Sequence, residues 1–248
     1  MEETAISQDA LLDGRVRLLQ PVAGYRVAID AVILAAAIEA EANETILDVG
    51  MGAGAASLCL AARVPGCRVV GVEVQRELAA LASRNVQLNG MEARVETIVA
   101  DVAKRMPPRL APGTFHHVMT NPPHLAPDSA TAPRDPSKSI ANVESSADLG
   151  AWLNFCLIML RSKGSLTVIH RADRLGEILA LLKGKAGEIV IFPLWPGEGK
   201  AAKRVLVRAR KSVATPLALA PGLVLHEDNG DYTVAAEEVL RHAAALYI

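Results

Sequence analysis

The sequence predicts an α/β domain built on a mostly parallel sheet, and three observations predict it. From residue 45 onward, short β-branched runs alternate with helical stretches of about a dozen residues, the pattern of right-handed βαβ units. The first of these runs leads straight into a glycine-rich turn at residues 50–54. Hydrophobic residues make up 51% of the 248, enough for a buried core and too many for a disordered chain.

Residues 15–20 alternate in polarity and read as a short edge strand, ended by Pro21 and Gly24. Residues 29–42, rich in Ala, Leu and Ile, read as a helix. Strands are expected at 45–49, 68–72, 94–99 and 115–120, with helices at 55–63 and 76–88 between them. Pro65-Gly66 and Asn89-Gly90 break the chain at the right places. Residues 124–148, rich in Pro, Ser, Ala and Asp, form a long loop after the fourth strand, a length typical of lids and binding loops. A helix at 152–160, a strand at 164–170, a helix at 175–182 and strands at 189–194 and 205–207 follow. An amphipathic stretch at 234–246 closes the chain.

Lys plus Arg total 26 and Asp plus Glu 27, a net charge of −1, which argues against nucleic-acid binding driven by bulk charge. Two Trp, three Tyr and three Phe are too few for a broad base-stacking platform. Cys59, Cys67 and Cys156 have no paired spacing and read as buried or free thiols of a reducing compartment. Met1-Glu2-Glu3 lacks the basic start of a signal peptide, and the longest apolar run, 27–38, is interrupted by Asp30. A soluble, cytoplasmic protein is expected.

Ligands of open parallel sheets sit at the carboxyl ends of the strands, so the residues just after each strand carry the chemistry. After the first strand comes Asp48-Val49-Gly50-Met51-Gly52-Ala53-Gly54-Ala55, whose glycines allow a sharp turn and close approach of backbone to a ligand. Taken alone, this turn also satisfies a loose dinucleotide fingerprint. Glu73 ends the second strand, where a carboxylate accepts both hydroxyls of a ribose, and Asp101 follows the third. Acids after three strands suit a cofactor with a cationic amino-acid end, a ribose and an adenine, as in S-adenosylmethionine, better than a pyrophosphate. The plainer reading makes the turn a tight connection and the acids helix caps.

After the fourth strand comes Asn121-Pro122-Pro123-His124. Two prolines fix the backbone and remove its donors, leaving the carbonyls of Asn121 and Pro122 and the Asn121 side chain as acceptors. Converging acceptors suit an NH₂ group. An amine conjugated to a base or carbonyl is a poor nucleophile, and hydrogen bonds to its N–H groups favour the pyramidal nitrogen of the transition state. A simple turn after a strand is the plainer alternative.

These motifs, in this order, resemble those of class I S-adenosylmethionine-dependent amino-methyltransferases. The segments at 18–30, 168–175 and 203–207 are further similar to bacterial tRNA (adenine-N6) methyltransferases acting on valine tRNA. The resemblance implies a Rossmann-like α/β fold, with a seven-stranded mostly parallel sheet and helices on both faces. It implies an N-terminal strand–helix extension over 1–42 and a methyltransferase domain over 43–248. It implies that Gly50 and Gly52 let the backbone approach the cofactor, with Asp48 near the methionine end. Tyr25 and Asp30 would shape that end from the N-terminal side. Glu73 would hold the ribose, Val74 would pack on the adenine and Asp101 would bind its amine. Asn121 and Pro122, with Pro123 and His124, would form the catalytic tetrapeptide, Asn121 also lining the cofactor. Where the family usually has Tyr or Phe stacking on the base, this chain has His124.

The expected substrate is the exocyclic amine of adenine in tRNA. Candidate contacts are the loop 124–148, with Arg134 and Lys138, and the basic segment 200–211, with Lys200, Lys203, Arg204, Arg208, Arg210 and Lys211. The basic segment reads equally well as a charged, solvated edge strand. Alternatives are a protein glutamine amide, a small-molecule amine, an NAD-dependent oxidoreductase and a non-catalytic RNA-binding module. His116-His117 has no acid or Cys at ligand spacing, so no metal is expected. His170 reads as packing before base contact, and Trp195 as core rim or exposed contact.

Overall fold

The structure, a computed structural model, describes residues 5–22, 27–104, 109–123 and 148–248. Its strands are β1 (Ile6–Leu11), β2 (Val16–Pro21), β3 (Thr45–Val49), β4 (Arg68–Glu73), β5 (Val95–Val99), β6 (Phe115–Thr120), β7 (Leu160–Arg171), β8 (Ala186–Trp195), β9 (Arg204–Lys211), β10 (Ala218–Leu219) and β11 (Leu223–Val224). Its α-helices are α1 (Ile29–Ala36), α2 (Ala55–Arg63), α3 (Arg76–Leu88), α4 (Leu149–Met159), α5 (Leu175–Leu182) and α6 (Val234–Leu240). Among the described residues, no helix is long and apolar enough to cross a membrane.

Seven strands make the body of the sheet in the order β8-β9-β7-β6-β3-β4-β5, with β9 antiparallel to both neighbours and the others joined in parallel. Alternation along the strands sends successive side chains to opposite faces. Ile46, Met119 and Ile169 join a core beneath α1, α2 and α3, whereas Leu47, Val118 and Val168 join one beneath α4 and α5. Helices therefore cover both faces, as parallel strands buried on two sides require.

The expected seven-stranded, mostly parallel body is present, and the structure extends it at one edge. The two-residue strands β10 and β11 both pair with β8, so the sheet has nine strands. Residues 15–20 do not edge this sheet. The strand there pairs with β1 in a separate antiparallel hairpin, whose first strand, Ile-Ser-Gln-Asp-Ala-Leu, is too polar on its exposed face to announce itself. The first helix also ends at Ala36, not at residue 42, because its last carbonyls find partners outside the helix. Arg63 donates to the carbonyls of Ala35 and Ile38, and the Leu246 N–H donates to that of Ala36 at 2.9 Å.

The hairpin is fastened to α3 by two asparagines one turn apart. Asn85 accepts from the Leu19 N–H at 2.7 Å and donates to the Leu19 carbonyl at 2.8 Å; Asn89 treats Arg17 the same way, at 2.9 and 2.7 Å. The fully buried Asn85 also donates to the Ala53 carbonyl, inside the glycine turn, at 2.9 Å. Asn85→Ala strands buried donors and acceptors on both sides, each costing roughly 1–3 kcal/mol, so a loss of about 3 kcal/mol is expected. Urea denaturation measures it, and limited proteolysis should show earlier cleavage within residues 5–22. A loss below about 1 kcal/mol, with unchanged proteolysis, contradicts the clasp.

Candidate functional site

The register of four neighbouring strands places the predicted residues in one row. Val49 pairs with Thr120 on one side and Val72 on the other, and Glu73 pairs with Val99. The residues that follow these pairs, Gly50, Asn121 and Ala100, therefore emerge beside Glu73 at the same carboxyl edge of the sheet.

The chain leaves β3 by folding over β4. The N–H groups of Gly50 and Met51 both donate to the Val72 carbonyl, at 2.8 and 3.0 Å, and Met51 lies across Gly71. A Cβ on Gly71 would sit 2.1 Å from the Met51 sulfur. Gly50 has φ +77°, and a Cβ there would meet the Trp152 ring at 2.9 Å. Trp152 is fixed in turn: its indole N–H donates to Thr120 Oγ1 at 2.8 Å, and that hydroxyl donates to the Val49 carbonyl at 2.8 Å. A side chain on Gly52, by contrast, would meet nothing within 4 Å among the described residues. The turn is thus packed from below and open above Gly52.

Two carboxylates are buried beneath this opening. Asp48, 2% exposed, accepts from the Ser57 hydroxyl on α2 at 2.7 Å. Burial pushes its carboxyl up from 3.8 to about 7; the Ser57 bond opposes the shift and the nearby Glu73 charge adds to it. Glu73, 6% exposed, accepts from the Gly52 N–H through Oε2 and the Gln75 N–H through Oε1, both at 2.9 Å. Burial holds it above the usual carboxylate range, against the pull of these backbone donors. Each oxygen keeps a lone pair for a further donor. Val74 and Val99 flank Glu73 with exposed apolar side chains, 43% and 47% accessible, as a flat aromatic ring requires.

Asn121 follows β6 with its Oδ1 buried and, among the described residues, without a hydrogen-bond partner. Such an acceptor costs about 1–3 kcal/mol unless a ligand donor or water meets it. Pro122 is buried behind it and Pro123 half-buried. Tyr25 and His124 lie outside the described residues, as do Arg134 and Lys138.

Three expected groups are engaged elsewhere. Asp30 pairs with Arg204 at 3.0 Å. Asp101 accepts from the Ala103 N–H at 3.0 Å and pairs with Lys104 at 3.2 Å, so it caps its own turn. The basic segment is largely neutralised internally. Besides Arg204, Arg208 pairs with Glu39, Arg210 pairs with Glu188 at 3.1 Å, and Lys211 donates to the Leu160 carbonyl at 2.7 Å. Trp195 donates to the Pro221 carbonyl at 3.0 Å, a rim contact. Ser57, Val99 and Trp152 carry no functional motif. Ser57 lies nine residues past Asp48, in the first turn of α2, a spacing that brings a helix hydroxyl back over the strand end; Trp152 follows a long loop and has no local signal.

Residues 24–133 match the family described as Methyltransferase small domain. The chain is similar to a tRNA1(Val) (adenine(37)-N6)-methyltransferase of Dyadobacter fermentans, 28% identical over 85% of this chain and 86% of that protein. It is similar over a shorter stretch to a release factor glutamine methyltransferase of Chlorobaculum tepidum, 30% identical over 38% of this chain and 32% of that one. For two further tRNA1(Val) (adenine(37)-N6)-methyltransferases, the alignment spans 60% and 61% of the relative, less than two thirds. Among solved structures, a predicted O-methyltransferase, Atu636 from Agrobacterium tumefaciens, superposes with a TM-score of 0.73 at 29% identity, over 88% of this chain and 99% of that one.

The raised Asp48 carboxyl carries a sign that can be checked. Folded, Asp48 holds its proton to about pH 7; unfolded, it releases it near 3.8. The folded state binds more protons between these values, so stability is full below about pH 4 and declines as pH rises through about 7. Asp48→Asn removes that decline. Urea midpoints of variant and wild type, compared from about pH 4 to 8, should diverge in the variant's favour and level off above pH 7. A constant difference contradicts a raised carboxyl.

Proposed function

The chain carries the S-adenosylmethionine-dependent methyltransferase fold, and from that premise we propose that it transfers a methyl group from S-adenosylmethionine to an exocyclic amine, adenine N6 of a tRNA. The methyltransferase unit is assigned to residues 43–248, with 1–42 as its N-terminal extension. The observation that carries the reading is the unpartnered, buried Oδ1 of Asn121 beside the open glycine turn.

The residues present fit the cofactor. A buried Asp48 is relieved by a cation, so it suits the ammonium of the methionine end. Gly52 leaves open space where backbone must come close. Glu73 retains acceptor capacity for ribose hydroxyls, and Val74 and Val99 offer apolar faces to an adenine. Asp101 is assigned to the adenine amine, an interaction for which it would exchange Lys104. Asp30 and Tyr25 are assigned to the N-terminal side of the methionine end, Asp30 with its charge balanced by Arg204.

S-adenosylmethionine, when bound, supplies an electrophilic methyl group on a sulfonium. Asn121 Oδ1 and the Pro122 carbonyl accept the two N–H bonds of the target amine, turning its lone pair toward that methyl. Pro123 fixes the backbone that aims both acceptors. The same hydrogen bonds strengthen as the nitrogen becomes pyramidal and positive, so they favour the transition state over the ground state. No strong base is needed, because the nitrogen loses its proton after the bond has formed. His124 is assigned to the base itself, and an adenine held in structured RNA must leave its stack to reach Asn121.

The tRNA assignment is supported by the relative spanning 86% of its length, and the glutamine alternative by the shorter one. With labelled S-adenosylmethionine, wild type should label tRNA and leave a purified release factor unlabelled. Asn121→Ala should lower kcat by about 10²- to 10³-fold, with an unchanged melting temperature. Label in release factor and none in tRNA overturns the substrate; full activity of Asn121→Ala overturns the mechanism.

A further inference from the structure

A second pocket opens at the amino ends of the strands, opposite the site above. It encloses about 180 Å³, room for roughly six waters at liquid density. Sequence-distant cations meet there: Arg161 and Lys163 from the start of β7, Arg208 and Arg210 from the end of β9. Antiparallel pairing brings them together, since Ser165 pairs with Arg210 and Thr167 with Arg208. Three residues of β6, a span of about 13 Å, separate His117 in its wall from Asn121.

The charges in this pocket do not fully cancel. Glu39 holds Arg208, and Glu188 holds Arg210 at 3.1 Å. Glu44 is shared, with one oxygen 2.8 Å from His117 Nε2 and the other 3.5 Å from Arg161. Burial holds His117 below its ordinary value, so its Nε2–H donates to Glu44 and its Nδ1 takes the Ser165 hydroxyl at 2.7 Å. That chain closes on itself and offers no donor to a ligand. Two donors remain. Arg208 Nε is buried and has no acceptor among the described residues. Lys163 is exposed and has no ion pair among the described residues, its carbonyl being the group that receives Arg210 Nε at 3.1 Å. An unmet buried N–H beside three further cations calls for an anionic oxygen acceptor.

We propose that this pocket is a phosphate-binding site, taking one phosphate group through Arg208, Lys163, Arg161 and Arg210. The phosphate belongs either to a small phosphomonoester or to the backbone of a nucleic acid, and the site is independent of the methyl-transfer reading.

Inorganic phosphate titrated calorimetrically into the full chain, at ionic strength held constant with chloride, should bind saturably at one site. Affinity should fall about tenfold in Lys163→Ala and in Arg161→Ala, the loss of one charge-assisted hydrogen bond each. Both side chains are exposed, so melting temperatures should hold. Lys183→Ala, an equal charge change on the exposed end of α5, should bind as wild type does. If tRNA displaces the bound phosphate, the source is a nucleic-acid backbone; if only a small phosphomonoester displaces it, the source is that class. No saturable phosphate binding, or equal binding by all four proteins, overturns the site, leaving Arg208 Nε to water.

Discussion

Everything at the carboxyl edge of this sheet depends on how the chain leaves β3. It turns across its neighbour β4, with two successive N–H groups on the single carbonyl of Val72. That crossing is possible only because Gly71 presents no side chain, and the space it vacates is filled by Met51. From below, Trp152 of α4 closes against Gly50; from the side, Glu73 receives the N–H of Gly52; from α3, Asn85 holds the Ala53 carbonyl. A loop with few side chains of its own is thereby held by three separate elements, β4, α3 and α4. This is the rigid backing that a close approach of backbone to ligand requires.

The same crossing confines Asp48 and Glu73 to a buried region where desolvation raises the energy of charging each, and the Glu73 charge adds to the cost at Asp48. Structural economy alone does not explain two such acids beside an open turn. Burial of like charges is destabilising, and such arrangements concentrate where a ligand of opposite charge relieves them. The acceptor role proposed for Asn121 follows the same logic: its Oδ1 is already desolvated, so its hydrogen bond would be available without displacing water at the moment of reaction.

The strand ends were legible in the sequence because they combine local signals: β-branched runs, glycines that tolerate positive φ, and acids or Asn-Pro-Pro at fixed offsets. The order of the βαβ units, the helices on both faces and the glycine turn follow from such signals. What was not legible depends on contacts between distant segments. β1 exists because β2 pairs with it, and both because Asn85 and Asn89 present side-chain amides in place of another strand. The cations at 200–211 read as one patch, yet β9 spreads its arginines along one face from one end of the sheet to the other, where Asp30, Glu39 and Glu188 neutralise all three. Net charge of −1 excluded indiscriminate nucleic-acid binding and could say nothing of Arg161 and Lys163 joining Arg208 at the far end of the sheet.

The account rests on buried carboxylates that exchange a proton for a cationic ligand. Calorimetric binding of S-adenosylhomocysteine, which retains the ammonium, measures this directly when repeated in buffers of different ionisation enthalpy. At about pH 6, binding should release a substantial fraction of a proton from Asp48, and the release should shrink toward pH 8, where that carboxyl is already ionised. In Asp48→Asn the release should vanish and affinity should fall. Binding without proton release across this range, with Asp48→Asn binding as tightly as wild type, would contradict the account.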